Sequence, residues 1–580
     1  MSLTSTKNPA EEAAQAALDA VYRCITERKS FILEAGAGAG KTYSLIKSLE
    51  FLLKNSGPEL RRRQQKIACI TFTNVAKNEI ESRTDKNPII HSDTIHAFCW
   101  SLIRNFQPEL RVALPSIGKW AERMTVTEVT DLGLREVVYD LGYPSIEEHQ
   151  INLYHDDVLD LIVTLLEKPK FRTFFLSQYP VLFIDEYQDT NKKFADAIQR
   201  HFLGKDEPIL IGFFGDHWQK IYGDGCGKIE HESLDIIEKN SNFRSVPAVV
   251  NVLNALRQEL PQEVKDPDAA GTAAAYHTNN WAGVRRTGAH WNGDVSSEAA
   301  HAYLLNLRTN LITQGWDFDP TKTKILMLTH NVLAEEQGYK NFADVFERNE
   351  SFIKKEDKYV AYFVDTLEPL CAAYENKKFG DMFTVLGGRK PLMITHQDKI
   401  KWSESMNGLI ALRHTGTIGQ IVEYIRDKKY PRLPEVLERK EKEFEDFVLE
   451  DGAEEPKSIG RLRALKKIMY KEVISFAQFS NAYTPFATKH SVKGAEFENV
   501  LIVLGRGWSQ YNFDQMLTWM NTTVPVDKID TFERSRNLFY VCSSRPKKRL
   551  ALLFTQKLED YSLGALSTLF GSEVHALPNI

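Results

Sequence analysis

The sequence predicts an α/β protein built from parallel sheets covered by helices on both faces. Three observations carry this. Short apolar runs alternate with helical stretches, a glycine-rich loop joins one such run to the helix after it, and a second set of runs recurs beyond a long helical stretch.

The elements follow in order. Glu11 to Thr26 has the periodicity of an amphipathic helix. Phe31-Ile-Leu-Glu-Ala35 is an apolar run entering the glycine loop, and Thr42 to Leu53 continues as helix. Lys66 to Phe72 is a second strand, followed by a helix from Asn74 to Arg83. Pro180 to Asp185 and Pro208 to Phe214 repeat the apolar pattern. A later set comprises Lys324 to Thr329, Asn499 to Leu504 and Arg549 to Phe554. The stretch 335–475 between the first and second of these is mostly helical and is expected to be an inserted domain, acidic over Glu438 to Glu455 and basic over Arg461 to Lys471.

A chain of 580 residues exceeds what one core holds, since cores stop growing near about 250–300 residues. The composition, 43% hydrophobic and 26% charged, is that of an ordinary globular protein. The net charge of −5 rules out a polycation but leaves room for a local basic groove. The six cysteines are scattered without a CxxC pair, which argues against a zinc ribbon, an iron–sulfur cluster or a disulfide framework. There is no signal pattern at the N-terminus and no apolar run of about 18 residues, so a cytoplasmic protein without a membrane partner is expected.

Chemistry concentrates in two places. The loop Ala35-Gly36-Ala37-Gly38-Ala39-Gly40-Lys41-Thr42, followed by Tyr43, fits a phosphate-binding loop. Small residues let the backbone wrap a polyphosphate with its N–H groups pointing inward. Lys41 would neutralise the β- and γ-phosphates of ATP, and Thr42 would ligate Mg²⁺. The second place is Asp185-Glu186 after an apolar run, with Gln188 beyond it. An acid at the carboxyl end of such a strand can hold Mg²⁺, here Asp185, while its neighbour Glu186 polarises the attacking water.

The ordered motifs resemble the UvrD/Rep branch of superfamily 1 (1A) DNA helicases. Asp185 to Asn191 resembles that family's DExxQDTN box, Thr71 to Arg83 its TFTNxAxxEMxxR segment, and Thr94-Ile-His96-Ala-Phe98 the motif after it. Gly215 to Tyr222 is similar to GDxxQxIY, Asn242 to Ser245 to NYRS, His490 to Phe497 to HSxKGLEF, and Leu538 to Arg545 to LxYVxxTR. The resemblance implies two RecA-like P-loop NTPase domains with mostly helical insertions. The implied division is 1–98 with 155–250 for the first core, 99–154 for a short helical insertion, 251–334 with 476–580 for the second core, and 335–475 for the larger insertion.

The resemblance also implies roles. Arg244 and Arg545 would meet the γ-phosphate, Gln219 and Gln188 would hydrogen-bond that phosphate or the water, Glu496 beside Gly494 would meet the ribose, and Gln15 would read adenine. Thr73, Asn74, Thr94, His96, Phe98, His490 and Ser491 fall on strand-facing motifs. Phe98 fits a core position equally well, and Gln15 a solvent-facing one. The family's base-stacking aromatic after the GDxxQxIY segment is replaced by Gly223-Asp-Gly-Cys-Gly, leaving Trp218 and Tyr222 as the nearest substitutes.

Both insertions look reduced, so the expectation is an ATP hydrolase that translocates 3′ to 5′ on single-stranded or tailed DNA, in repair or antiviral defence, rather than an efficient strand separator. Compact relatives also partner nucleases in Gabija-type anti-phage systems. The competing expectation is thus a DNA-responsive ATPase subunit regulating such a partner. The clusters Arg61 to Arg63, Arg285-Arg286 and Lys547 to Arg549 are basic, and solvated faces account for them as well as phosphate contacts do.

Overall fold

The computed structural model describes residues 8–139, 144–205, 209–288, 291–327, 337–346, 357–387, 393–448, 455–480, 495–505 and 511–580, with Ala334, Phe352, Lys355 and the backbone of 486–487. The chain divides into two compact units. One comprises Met1–Ala275, Gln510–Ala551 and Leu558–His575; the other comprises Tyr276–Ser509, Leu552–Lys557 and Ala576–Ile580. This partition follows other boundaries than the four-part division expected from the motifs.

The first unit is organised on a parallel sheet of six strands: β1 (Phe31–Ala35), β2 (Ile67–Thr71), β3 (Ile90–Thr94), β4 (Val181–Asp185), β5 (Leu210–Gly215) and β6 (Asp235–Lys239). Their order across the sheet is β3-β2-β4-β5-β1-β6, and each neighbouring pair is parallel. Strands β1, β2, β4 and β5 are buried along their whole length, which is why they read as unbroken apolar runs.

The side chains nonetheless alternate between faces. Ile32, Ala68, Ile70, Leu182, Ile184, Ile211 and Phe213 enter one core cluster. Phe31, Leu33, Ile67, Cys69, Val181, Phe183, Leu210 and Phe214 enter another. The period of two thus delivers successive residues to opposite layers of helices. Each fully buried Leu, Ile or Phe contributes roughly 1.5–3 kcal/mol, so these two layers dominate the stability of the unit.

The helices begin where their caps dictate. Pro9–Glu27 starts behind Asn8, whose side chain accepts the Ala10 N–H at 3.0 Å, with Glu11 and Glu12 complementing the helix dipole. Lys41–Arg62 runs past the expected end at Leu53 and through Pro58, because Leu52, Gly57 and Leu60 remain buried against the sheet. The insertion expected to be helical carries the helices Gln107–Ala113 and Trp120–Val126. It also holds a sheet of three very short strands, Glu136–Val138, Gln150–Asn152 and Ser145–Ile146 in that order.

In the second unit, Thr323–Met327 lies between Phe486–Ala487 and Phe497–Leu504, both parallel to it. The boundaries between the units fall inside the strands Thr272–His277 and Pro546–Phe554. The architecture is α/β, with two RecA-like cores of parallel sheet flanked by helices. The stretch expected to be a helical insertion contains nine α-helices among the described residues between Lys340 and Ser480, from Lys340–Asp344 to Lys471–Ser480. A buried ion pair braces them: Arg413 reaches Glu368 at 2.6 Å. Among the described residues, no helix is long and apolar enough to cross a membrane. All six cysteines are free thiols.

Candidate functional site

The carboxyl ends of β1, β4 and β5 are adjacent in the sheet, and each delivers one predicted segment: Ala35–Thr42, Asp185-Glu186 and Gly215-Asp216. Open parallel sheets place ligands in this position.

The loop after β1 keeps its shape through glycine. Gly38 and Gly40 have φ of +77° and +76°, a region other residues adopt at a cost. A Cβ on Gly36 would stand 2.6 Å from Gln262 Nε2, so a side chain here would have to displace the Gln262 amide that holds the loop. The loop is held from outside. Asn242 and Gln262 each donate to the Ala37 carbonyl at 3.1 Å, the Phe243 N–H donates to the Gly38 carbonyl at 2.9 Å, and the Ala37 N–H donates to the Tyr540 hydroxyl at 3.2 Å.

Lys41 Nζ lies 2.9 Å from Glu186 Oε2. Burial depresses the Lys41 ammonium, but Glu186 and Asp216 outweigh it and raise its pKa. Glu186 sits at φ +49°, left-handed backbone that a non-glycine residue adopts where its surroundings compel it. Gln188 donates to Glu186 at 2.6 Å and accepts the Asp216 N–H at 3.0 Å, tying the two acidic segments together.

The residues present fit a divalent cation. Asp185 is 4% exposed, and its Oδ1 has no hydrogen-bond partner among the described residues. Burial, then the Glu186 charge, push its pKa up to about 7. A buried carboxylate oxygen left unsatisfied costs free energy, which a hard cation held also by Thr42 at the start of its helix would recover.

The arginines converge on the same unit. Arg545 is fully buried, donates to Gln219 Oε1 at 3.3 Å and to the Val541 carbonyl at 2.8 Å, and is pushed down to about 9 by burial and by Arg244. Arg244 donates to the Ser544 carbonyl at 3.0 Å. Both guanidiniums thus engage carbonyls at the end of the helix Ile529–Ser543, and the Arg244 charge disfavours that of Arg545, a repulsion that an anion would relieve.

Beside the loop, Glu11, Gln15, Leu18, Gly40, Tyr43, Lys239 and Phe243 are among the residues lining a cleft of about 480 Å³. Gln15 is on its exposed wall, donating to Asp19 at 2.8 Å. Lys239, which the sequence reading missed, donates to the Gly40 carbonyl at 3.1 Å and to Ser44 Oγ at 2.8 Å.

The expected strand-facing residues divide. Thr73 and Asn74 are exposed at the start of a helix that Thr73 caps, and Thr94 and His96 are half-buried. Phe98 is a correction. It is 0% exposed and packs in the core among His91, Phe175 and Tyr179. Trp218 is a second correction: it is 6% exposed and covered by the Arg536 guanidinium at 3.8 Å, so neither ring is open to a base. Tyr222 stands 5.0 Å from Phe72, an exposed ring overlooked in the sequence although it lies within the matched TFTN segment. Glu496 is exposed in the second unit, while His490, Ser491 and Gly494 lie outside the described residues.

The chain is similar in sequence to several known proteins. A match to the AAA domain family covers residues 18–224. The Gabija protein GajB of Bacillus cereus (strain HuB5-5) is 23% identical over 98% of this chain and 99% of its own length. GajB of Bacillus cereus (strain VD045) is 26% identical over 42% of this chain and 49% of its own. The ATP-dependent DNA helicase PcrA of Staphylococcus aureus (strain Mu50 / ATCC 700699) is 23% identical over 40% of this chain and 38% of its own.

Proposed function

Because the chain belongs to the UvrD/Rep-like branch of the superfamily 1 helicases, we propose that it is an ATP-driven translocase on single-stranded DNA, moving 3′ to 5′. The observation that carries this reading is the gathering of Lys41, Asp185, Glu186, Gln219, Arg244 and Arg545 in one compact unit. Simple phosphate-binding switches need the loop and the acid. A pair of guanidiniums beside the sensor glutamine adds what phosphoryl transfer requires.

In this reading the loop N–H groups and Lys41 hold the phosphates, Arg244 and Arg545 take up charge developing on the γ-phosphoryl group, and Gln219 orients it. Glu186 takes a proton from the attacking water, positioned by Gln188. Thr42 and Asp185 would hold Mg²⁺, which would supply charge neutralisation. Thr73, Asn74 and Thr94 contact the strand's phosphates, and Phe72 with Tyr222 offers the stacking surface that Phe98 and Trp218 do not.

The test is ATP turnover with and without single-stranded DNA, followed by unwinding of duplexes carrying 3′ or 5′ tails, with Lys41→Ala and Glu186→Gln as controls. An absence of turnover under every condition would sink the motor reading. Preference for the 5′ tail would overturn the polarity, and an RNA strand tests the choice of nucleic acid.

A second reading has one observation behind it, the likeness to a Gabija protein along nearly the whole of both chains. In that reading ATP state and DNA govern a partner protein in anti-phage defence, and unwinding is weak. Turnover without unwinding, joined to capture of a nuclease, favours it.

A further inference from the structure

We propose that Arg257 is a positioning residue for ATP hydrolysis, locking the Asp216–Gln219 segment to the root of the phosphate loop and so fixing how Gln219 faces Arg545. The inference rests on the hydrolase reading above.

Arg257 follows the helix Pro247–Leu256 and is 1% exposed. Its two arms reach different segments: one lies 2.8 Å from Glu34 and the other 2.5 Å from Asp216. Glu34 is the residue before Ala35 in β1, so the first contact grips the strand that enters the loop. Asp216 turns its other oxygen to Gln219, accepting from Nε2 at 2.7 Å. With its nitrogen held there, the Gln219 amide presents Oε1 to Arg545. Reversing the amide would set an N–H against a guanidinium, so the Asp216 carboxylate decides which face Gln219 shows.

The surroundings leave this pairing little freedom. Trp218 and Tyr540 lie 5.4 Å and 5.8 Å from the Arg257 guanidinium, and Tyr540 also accepts the Ala37 N–H of the loop. Glu34 further accepts from the Tyr187 hydroxyl at 2.6 Å and contacts His217 Nδ1 at 2.7 Å. Ligand atoms of Glu34, Asp216 and His217 lie within 4.8 Å of one another, a spacing that a metal ion could span. The planar guanidinium already meets both carboxylates, so the cluster is an ion-pair network.

A buried network of this kind is a weak stabiliser, because desolvation offsets the attraction, and apolar side chains would hold the helix as well. Apolar side chains could not orient Asp216. The role therefore predicts a loss in the chemical step rather than in nucleotide binding.

The experiment compares the full chain with Arg257→Lys, Gln219→Ala and the double variant. Lysine keeps the charge but replaces the planar fork, whose separate arms meet Glu34 and Asp216, with a single ammonium that does not fix the orientation of the Asp216 carboxylate. Turnover, KM for ATP, thermal unfolding, and the affinity for ADP with and without aluminium fluoride are measured. Arg257→Lys is expected to lower kcat about 10- to 100-fold with KM within about threefold. ADP affinity is unchanged, while the tightening brought by aluminium fluoride shrinks by a similar factor. In the Gln219→Ala background the same change costs less than about threefold more, because its route of action is gone.

An Arg257→Lys kcat within about threefold of the parent, or penalties that multiply in the double variant, would overturn the inference. A parent chain without ATP turnover overturns the hydrolase reading and this inference together. Turnover in the parent with an indifferent Arg257→Lys overturns this inference alone.

Discussion

Lys41 Nζ and Glu186 Oε2 stand 2.9 Å apart, an ion pair joining the phosphate loop to the acidic box. Each satisfies the other, so a bound polyphosphate must draw Lys41 away and release the carboxylate toward water. Glu186→Gln removes the base while keeping the shape. We expect kcat to fall about 10²- to 10⁴-fold with ATP affinity retained, measured by steady-state turnover beside equilibrium nucleotide binding. Equal losses in both would place Glu186 in binding rather than in chemistry.

Arg545 is buried beside Arg244 and donates to Gln219. Arg545→Ala is expected to lower kcat about 10³- to 10⁵-fold. Lysine should rescue little, because one ammonium does not reproduce a fork already engaged by Gln219, Ser544 and the Val541 carbonyl. A lysine variant as active as the parent would reduce Arg545 to a simple countercharge.

Lys239 is 1% exposed and, among the described residues, pairs with no carboxylate. Burial pushes it down from its ordinary 10.5 to about 8. Below pH 8 folded and unfolded chains both carry the charge, and the fold bears the full cost of burying it. As pH rises from about 8 to 10.5 the unfolded chain keeps a proton that the folded chain has lost, so stability increases. Against Lys239→Met, the parent should gain up to about 3 kcal/mol across that window in denaturant unfolding at stepped pH. A difference that stays flat with pH contradicts it.

Phe98→Ala empties a core position. Unfolding should cost about 3–5 kcal/mol less, with single-strand affinity at low temperature unchanged. A selective loss of strand affinity without destabilisation would return Phe98 to the DNA-facing set.

The sheet was legible because its strands are buried on both sides. Phe31–Ala35 was placed to the residue, and the strand ending at Asp185 was one residue too long only at its start. The helix after the loop was cut short because Asn55-Ser-Gly-Pro58 has the composition of a turn, whereas packing of Leu52 and Leu60 carries the helix through. The motif residues that the first unit gathers could be singled out because their spacing is local to each segment. Arg257 could not: its partners lie 223 and 41 residues away, and no periodicity links position 34 to position 257. Trp218 and Phe98 were misplaced for the opposite reason, since an aromatic within a motif has the same letter whether it faces solvent or the core.

The hydroxyl that meets the loop at Ala37 belongs to a residue 503 positions downstream. A ribosome adding about 5–20 residues per second therefore exposes the loop roughly 25–100 s before Tyr540 exists to brace it and Arg545 exists to act. Nascent chains and products of premature termination would carry the proposed phosphate loop without the arginine proposed to act on it. On the proposed roles, the order of synthesis would itself keep unfinished copies from consuming ATP.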